Sequence, residues 1–311
     1  MAIENQQRIE IVGGASKYAS DISGRYRDIT FSYKKEEVGR IFNNMRTARS
    51  YDVCEYSLAN FIKSYASADT GIVGVPVFPY RAFRHHIIKV RRDSILESPR
   101  DLIGKVVAIP DYSMTAGVWA RGILLEEYQV HWSDIRWVSG PNQRFPVPST
   151  VKINYTTDDL EDGVISGVYD AIISPELRDD ARPDTNQRLR PLLRNADDIE
   201  REYYERTGLY PINHLIVMAE SCLAKHPQAG AALYEAFSKK KVDLFGSNPS
   251  SFFGGDEMPG WLAETIARGD DPVPYGLTAR NIVNIKKLTG YLREQHLISR
   301  EPSVQEMFVA S

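Results

Sequence analysis

Twelve residues gather the side chains best suited to chemistry. Val75-Pro76-Val77-Phe78-Pro79-Tyr80 is an apolar run, and Arg81, Arg84, His85 and His86 follow it at once. Short, β-branched and closed by Pro79, the stretch from Val73 to Phe78 reads as a buried parallel strand. Charges at its carboxyl end are either solvated or aimed at something negative. Guanidinium groups form planar, two-pronged bonds to carboxylates, so Arg81 and Arg84 together suit a dicarboxylate. If His85 and His86 begin the next strand, they point to opposite faces, which makes them poor joint ligands for one metal. The plainer alternative is a pair of solvated arginines beside one core histidine.

Three further places carry candidate groups. Ile109-Pro110-Asp111-Tyr112-Ser113-Met114-Thr115 runs from a strand end into a helix start. Ser113 or Asp111 could cap that helix, whose free N–H groups attract anions, and Thr115 could add a hydroxyl. Arg121 falls within the face formed by Met114, Val118, Leu125 and Tyr128, and there it needs either an internal acid or a ligand. His214 and Asn213 begin an apolar strand, where they line a site or bond the neighbouring backbone. Glu55 and Ser57 follow the strand beginning at Tyr51, and Ser57 is suited to capping the next helix.

The elements that must position these groups alternate between strand and helix. Strand signals cover 8–12, 28–33, 51–55, 73–78, 86–90, 105–109, 135–138, 170–174 and 212–218. Helical spacing covers 35–46, 57–65, 114–128, 158–165, 197–206 and 227–241. This order predicts an α/β protein with mostly parallel sheets and helices on both faces, binding its ligand beyond strand carboxyl ends. Two lobes are expected, one from 1–103 plus 196–311 and an inserted one from 104–195, with the site in an interlobe cleft. Residues 242–311, with Phe252-Phe253 and Trp261, are expected to cover a lobe or form a subunit interface in a homo-oligomer.

Composition narrows the function classes. The 311 residues are 42% hydrophobic and 25% charged, with net charge −3 from 38 basic and 41 acidic residues. No basic tract or aromatic-basic interleaving predicts a nucleic-acid partner. No apolar run approaches the roughly 18 residues of a membrane span. The first residues show no export signal, so a cytoplasmic location is expected. Cys54 and Cys222 have no metal spacing and read as small core residues. Nucleophile-elbow, phosphate-loop, dinucleotide and zinc-helix motifs are absent, and no metal or cofactor is expected.

The motifs YDVCEYSLANFI (51–62), VPVFPYRAFRHH (75–86), DLIGKVVAIPDYSMTAGVWARGILLEEY (101–128), DIRWVSG (134–140), DAIISPE (170–176) and TGLYPINHLIVM (207–218) resemble the 4,5-dihydroxyphthalate decarboxylases. The resemblance covers most of residues 50–240. It implies a type II periplasmic-binding-protein-like fold and cofactor-independent removal of one carboxylate from an aromatic dicarboxylate, giving protocatechuate. One segment departs from the pattern. The first strand of that family runs into a Gly-Asp-Tyr-Asp-Arg-Thr-like stretch, where this chain has Gly13-Gly14-Ala15-Ser16-Lys17-Tyr18. Another hydroxylated aromatic acid is therefore an open substrate. On this resemblance Arg81 or Arg84 clamps a carboxylate with Arg121, and His85 donates the proton. His214, Tyr112 and Glu55 are candidates for the hydroxyl end. The competing reading is a receptor for a small aromatic carboxylate. A cytoplasmic ligand sensor and a metal-dependent lyase are weaker options.

Overall fold

A computed structural model of the protein describes residues 7–14, 22–69, 71–247 and 259–309. In chain order the strands and helices are β1 (Gln7–Gly13), β2 (Gly24–Tyr26), β3 (Ile29–Lys35), α1 (Val38–Ala48), β4 (Val53–Ser57), α2 (Leu58–Ala66), β5 (Ile72–Arg81), β6 (Ile88–Arg91), β7 (Val106–Ala108), α3 (Thr115–Tyr128), β8 (Arg136–Ser139), β9 (Ile153–Tyr155), α4 (Leu160–Ile165), β10 (Ala171–Ile173), β11 (Leu189–Pro191), α5 (Ala196–Thr207), β12 (Ile212–Ala219), α6 (Glu220–Lys225) and α7 (Ala229–Ser247). Shorter helices follow at Gly260–Ala267 and Val304–Met307, with a longer one at Ala279–Glu294. The strands build two six-stranded sheets, one in each of two compact units.

The first unit contains Met1–Ala82, Ile212–Lys286 and Pro302–Ser311. Its sheet runs β2-β3-β1-β4-β12-β5. Every residue of β4 is buried, including Glu55 and Ser57, because α1 and α2 both pack against this central strand. α1 buries Ile41, Phe42 and Met45, spaced as one helical face. Its start is capped by Glu37, whose carboxylate accepts from the amides of Gly39 and Arg40. Ser57 caps α2 by accepting from the Asn60 amide at 3.3 Å.

The run at 73–78 is buried, but it is not a parallel strand. It belongs to β5, which lies antiparallel to β12 at the edge of its sheet and continues through Pro79 to Arg81. Proline has no N–H to give a neighbouring strand, so a strand carrying Pro76 and Pro79 is tolerated best at an edge. Phe308 covers part of this region. It bridges to Gly74, and its ring meets Phe61 at 5.7 Å and Phe78 at 6.1 Å. Residues 15–18 and Phe252-Phe253 lie outside the described residues. Cys54 and Cys222 are free and buried.

The second unit contains Phe83–Pro211 and Lys287–Glu301, so its edges differ from the expected 104 and 195. The reason is β6. It pairs antiparallel with β10 and β11, which places the chain from Phe83 onward in the second sheet, ordered β11-β6-β10-β7-β8-β9. β7, β8, β9 and β10 pair in parallel. α3 is buried along most of its length. Its N-cap is Met114, not Ser113 or Asp111, and no side chain caps it. Both the amide and the hydroxyl of Ser113 donate to Asp111 Oδ1 at 2.7 Å, which keeps that carboxylate from the helix.

Close packing in the second unit gives a stability test. A Cβ added at Gly122 of α3 would lie 2.3 Å from the Tyr291 ring. That ring is buried, meets Trp119 edge-on at 5.5 Å and is held by its hydroxyl on Glu126 at 2.5 Å. Alanine normally favours a helix over glycine, but a buried ring held by both Trp119 and Glu126 cannot retreat. Gly122→Ala is expected to destabilise the fold by about 1–3 kcal/mol in urea unfolding.

Candidate functional site

In the first unit, β4 and β12 bring an acid and an imidazole together. Across this antiparallel pair His214 stands opposite Ser57 and Ile216 opposite Glu55, so His214 and Glu55 are diagonal neighbours on one face. Glu55 Oε1 lies 2.6 Å from His214 Nδ1. The other oxygen, Oε2, accepts from the Gly14 amide at 2.9 Å, where β1 ends. Aromatic rings fix the imidazole. Phe42 meets it edge-on at 5.0 Å, and Tyr80 is tilted against it at 4.9 Å.

The charge state of this pair follows from its contacts. Burial pushes the Glu55 carboxyl up, but the bond and charge of His214 and the Gly14 amide outweigh it, leaving the group below the ordinary carboxylate range. Beside it, the Tyr33 hydroxyl donates to the Gly14 carbonyl at 3.0 Å. Burial and the Glu55 charge raise that phenol, so it stays neutral. The two glycines are required here. A Cβ at Gly13 would lie 2.2 Å from the Tyr33 oxygen, and one at Gly14 would lie 2.8 Å from Val38.

Arg81 sits opposite Ile212, buried, with its guanidinium donating to Asn281 Oδ1 at 2.6 Å and to the Pro274 carbonyl at 3.0 Å. These contacts tie the end of β5 to a later segment of the same unit.

The second unit holds the remaining candidates. Arg121 is 1% exposed and has no acidic partner within hydrogen-bond range. Its Nε donates to Gln295 at 2.8 Å and one terminal nitrogen donates to the Tyr112 carbonyl at 2.7 Å. The guanidinium carbon lies 3.9 Å from the centre of the Tyr112 ring. Among the described residues the other terminal nitrogen has no hydrogen-bond partner, and neither has the Tyr112 hydroxyl. A Cβ at Gly117 would lie 3.2 Å from that nitrogen, so it rests against the first turn of α3, whose N-cap residue Met114 gives no capping bond. Thr115 and Ser113 are buried at the same helix start. Burial lowers the guanidinium, and the charges of Tyr112, Glu294 and Asp111 offset the loss of water only in part.

His85 and His86 lie in the turn before β6 rather than in the strand, so strand alternation does not set their directions, yet their environments differ. His85 is 1% exposed, edge-on to Tyr203 at 5.2 Å, while the His86 side chain is 44% exposed. Both approach Glu200 of α5. Its Oε1 is 2.9 Å from His86 Nδ1 and 3.7 Å from His85 Nδ1. Among the described residues neither ring nitrogen of His85 is hydrogen-bonded. Arg84 is buried at 2% exposure.

The structure thus joins Glu55 with His214 and gathers Arg121, Tyr112, Ser113 and Thr115 around the start of α3. Arg81 is engaged within the first unit, whereas Arg84, His85 and His86 belong to the second. Reading the sequence did not identify Glu200 or Gln295. For Glu200 the only signal was an acid inside α5 on a face shared with Tyr203. For Gln295 there was none. Among the described residues no cluster of three or more His, Cys, Asp or Glu side chains could hold a metal ion. Among the same residues no helix is long and apolar enough to cross a membrane.

No family model matches the chain. It is 35% identical over 215 residues to the 4,5-dihydroxyphthalate decarboxylase of Comamonas testosteroni, covering 65% of this chain and 63% of that one. Over that stretch the chain is similar to the 4,5-dihydroxyphthalate decarboxylases. The decarboxylase of Pseudomonas putida is 37% identical over 135 residues, 40% of this chain and 52% of its own. The match therefore spans less than two thirds of each decarboxylase. The fold is that of the periplasmic solute-binding proteins. The aliphatic sulphonate binding protein of Escherichia coli superposes with a TM-score of 0.62 at 16% identity, covering 97% of both chains. The alkanesulfonate-binding protein of Xanthomonas axonopodis pv. citri gives 0.59 at 12% identity, covering 98% of both.

Glu200 supplies a pH test. Burial raises its carboxyl, but the two histidines overcome this and hold it at about 2, against an ordinary 4.5. A carboxyl depressed in the folded state stabilises the fold above its unfolded value and loses that contribution as pH falls towards the folded value. The window therefore runs from pH 4.5 down to about 2. Across it the wild type is expected to lose on the order of 3 kcal/mol more stability than Glu200→Gln. Urea unfolding at several acidic pH values measures the difference.

Proposed function

We propose that the protein is a cofactor-independent decarboxylase of a hydroxylated aromatic dicarboxylate, with 4,5-dihydroxyphthalate as the first candidate and protocatechuate as the product. The reaction class is supported by the 215-residue match to a named decarboxylase. The observation that carries the reading in the structure is the buried Glu55 carboxylate held 2.6 Å from the His214 ring. A fixed acid–imidazole pair is a proton-handling device, and proton transfers are what this reaction needs.

The chemistry asks for three services. In 4,5-dihydroxyphthalate each carboxylate is para to a hydroxyl. Ionising that hydroxyl moves electron density onto the carbon bearing the carboxylate. Protonation there gives a dienone, and loss of carbon dioxide restores the aromatic ring. The ring itself stores the electrons. Protein groups must handle the phenolic proton, supply a proton to carbon and grip the retained carboxylate. His214 with Glu55 belongs to the hydroxyl end. His85 is the proton donor in this reading. The open nitrogen of Arg121, the uncapped start of α3 and the Tyr112 hydroxyl make up the carboxylate grip, with Ser113 and Thr115 beside them. Arg84 is kept as a second candidate for the grip. Arg81 contributes through packing, given its bonds to Asn281 and Pro274. The reading carries with it a cytoplasmic location, which cell fractionation tests.

Metal-free protein mixed with 4,5-dihydroxyphthalate is expected to release carbon dioxide and give the ultraviolet change to protocatechuate, with full rate in the presence of chelator. His85→Ala is expected to lower turnover by roughly 100-fold or more while sparing binding. Tight binding of the substrate with no turnover would replace the enzyme reading with that of a receptor for an aromatic carboxylate.

A further inference from the structure

We infer that His214 is the base that takes the phenolic proton, through Nε2, and that Glu55 is the positioning residue that aims it. This rests on the decarboxylase reading and assigns one of its roles. Ionised Glu55 can only accept a hydrogen bond, so the 2.6 Å contact puts a hydrogen on His214 Nδ1. In the neutral ring the lone pair then lies on Nε2, which is the form a base requires. Among the described residues Nε2 has no hydrogen-bond partner. The ring cannot turn away, because Phe42 and Tyr80 hold it on two sides. The His214 side chain keeps 17% exposure and Glu55 keeps 6%, so the pair presents its imidazole and hides its acid.

Glu55 is itself positioned by the Gly14 amide, whose bond to Oε2 leaves Oε1 for the imidazole. Among the described residues, the other titratable groups beside the pair include the phenols of Tyr33, on β3, and Tyr80, on β5, and the buried Cys54 thiol of β4, which burial and the Glu55 charge raise so that it stays neutral. Tyr33 gives its hydrogen to the Gly14 carbonyl and stays neutral. His85 makes a contrast. It is 1% exposed, and its Nδ1 lies 3.7 Å from Glu200 against 2.6 Å for the His214 pair, so its tautomer is held less firmly.

The step balances without any added oxidant or reductant. Nε2 removes the proton of the hydroxyl para to the departing carboxylate, and the imidazolium formed is stabilised by Glu55 at Nδ1. The oxygen electron pair shifts through the ring to the carbon bearing that carboxylate, which takes a proton from the donor, His85 in the reading above. The bond to the carboxylate carbon then breaks, and its pair returns to the ring and the oxygen. Carbon dioxide leaves, and the phenolate recovers its proton from Nε2. One proton from solvent replaces the one given to carbon.

The test compares wild type, Glu55→Gln, Glu55→Asp and His214→Gln in the full chain. Glutamine can still accept from Gly14, but its amide hydrogens would face Nδ1 and shift the hydrogen to Nε2. Glu55→Gln is therefore expected to lower kcat by roughly 100- to 10,000-fold with KM little changed. It should also abolish the acidic limb of the kcat–pH profile and switch the His214 tautomer seen by nitrogen NMR. Glu55→Asp should restore part of the rate. Protocatechuate bound to wild type should show phenolate absorbance below the pKa of the free phenol, and His214→Gln should remove it. If Glu55→Gln does not fold, His214→Gln carries the test. An active wild type, with His214→Gln keeping its rate, pH profile and phenolate band, would overturn the assignment and leave the decarboxylase standing. A wild type that neither binds nor converts 4,5-dihydroxyphthalate would remove both.

Discussion

A carboxylate inside a sheet is the constraint around which the first unit is arranged. Glu55 lies on the central, fully buried β4, where an ionised acid is tolerated only with donors at hand. It has two, the imidazole of His214 and the amide of Gly14. Each fixes something else. Meeting the imidazole requires β12 to lie against β4 in one register, since a shift of one residue would turn His214 to the opposite face. Meeting the amide requires β1 to end in glycines, because a side chain at Gly13 would strike Tyr33. The acid thereby connects β1, β4 and β12, three neighbours in the sheet.

The second unit solves a comparable problem with an arginine. Arg121 is hydrogen-bonded to Gln295 and a carbonyl and packs on an aromatic face, while the charges of Glu294 and Asp111 reach it without a hydrogen bond. Its hydrogen-bond partners are neutral and the two acids offset its charge only in part, and the adjoining helix start adds to it. An anion there would relieve both. This is a different arrangement from the internal ion pair that an arginine on a packed helical face first suggests.

Much of this architecture was legible in the chain. The one-faced spacing of 35–46, the largely apolar stretch 114–128 and the apolar runs at 73–78 and 212–218 each mark an observed helix or strand, because burial writes itself into residue order. Strand direction was not legible. Nothing local in 73–78 distinguishes a parallel from an antiparallel strand. That depends on β12, well over a hundred residues later, lying between β4 and β5. The same limit applied to the site. His214 and Glu55 were each visible as polar residues in apolar strands, but their pairing is a matter of register. Arg81 was read together with Arg84 and His85 by adjacency alone. The chain changes units between Ala82 and Phe83. Short weak strands such as β2, β9 and β11 carried too few residues to show a period.

The strand order of the first sheet has a consequence for how the protein comes into being. β4 and β5 are made early, yet β12 must lie between them, and Phe308 must reach Gly74 from near the end of the chain. During synthesis the first unit therefore waits, with its central strand unpaired on one side, while most of the second unit is made. Contacts of such long sequence separation form slowly, and unpaired strand edges invite wrong partners. The order in which the ribosome releases the chain is the reverse of what this sheet would favour, so the part of the protein begun first is the last to be completed.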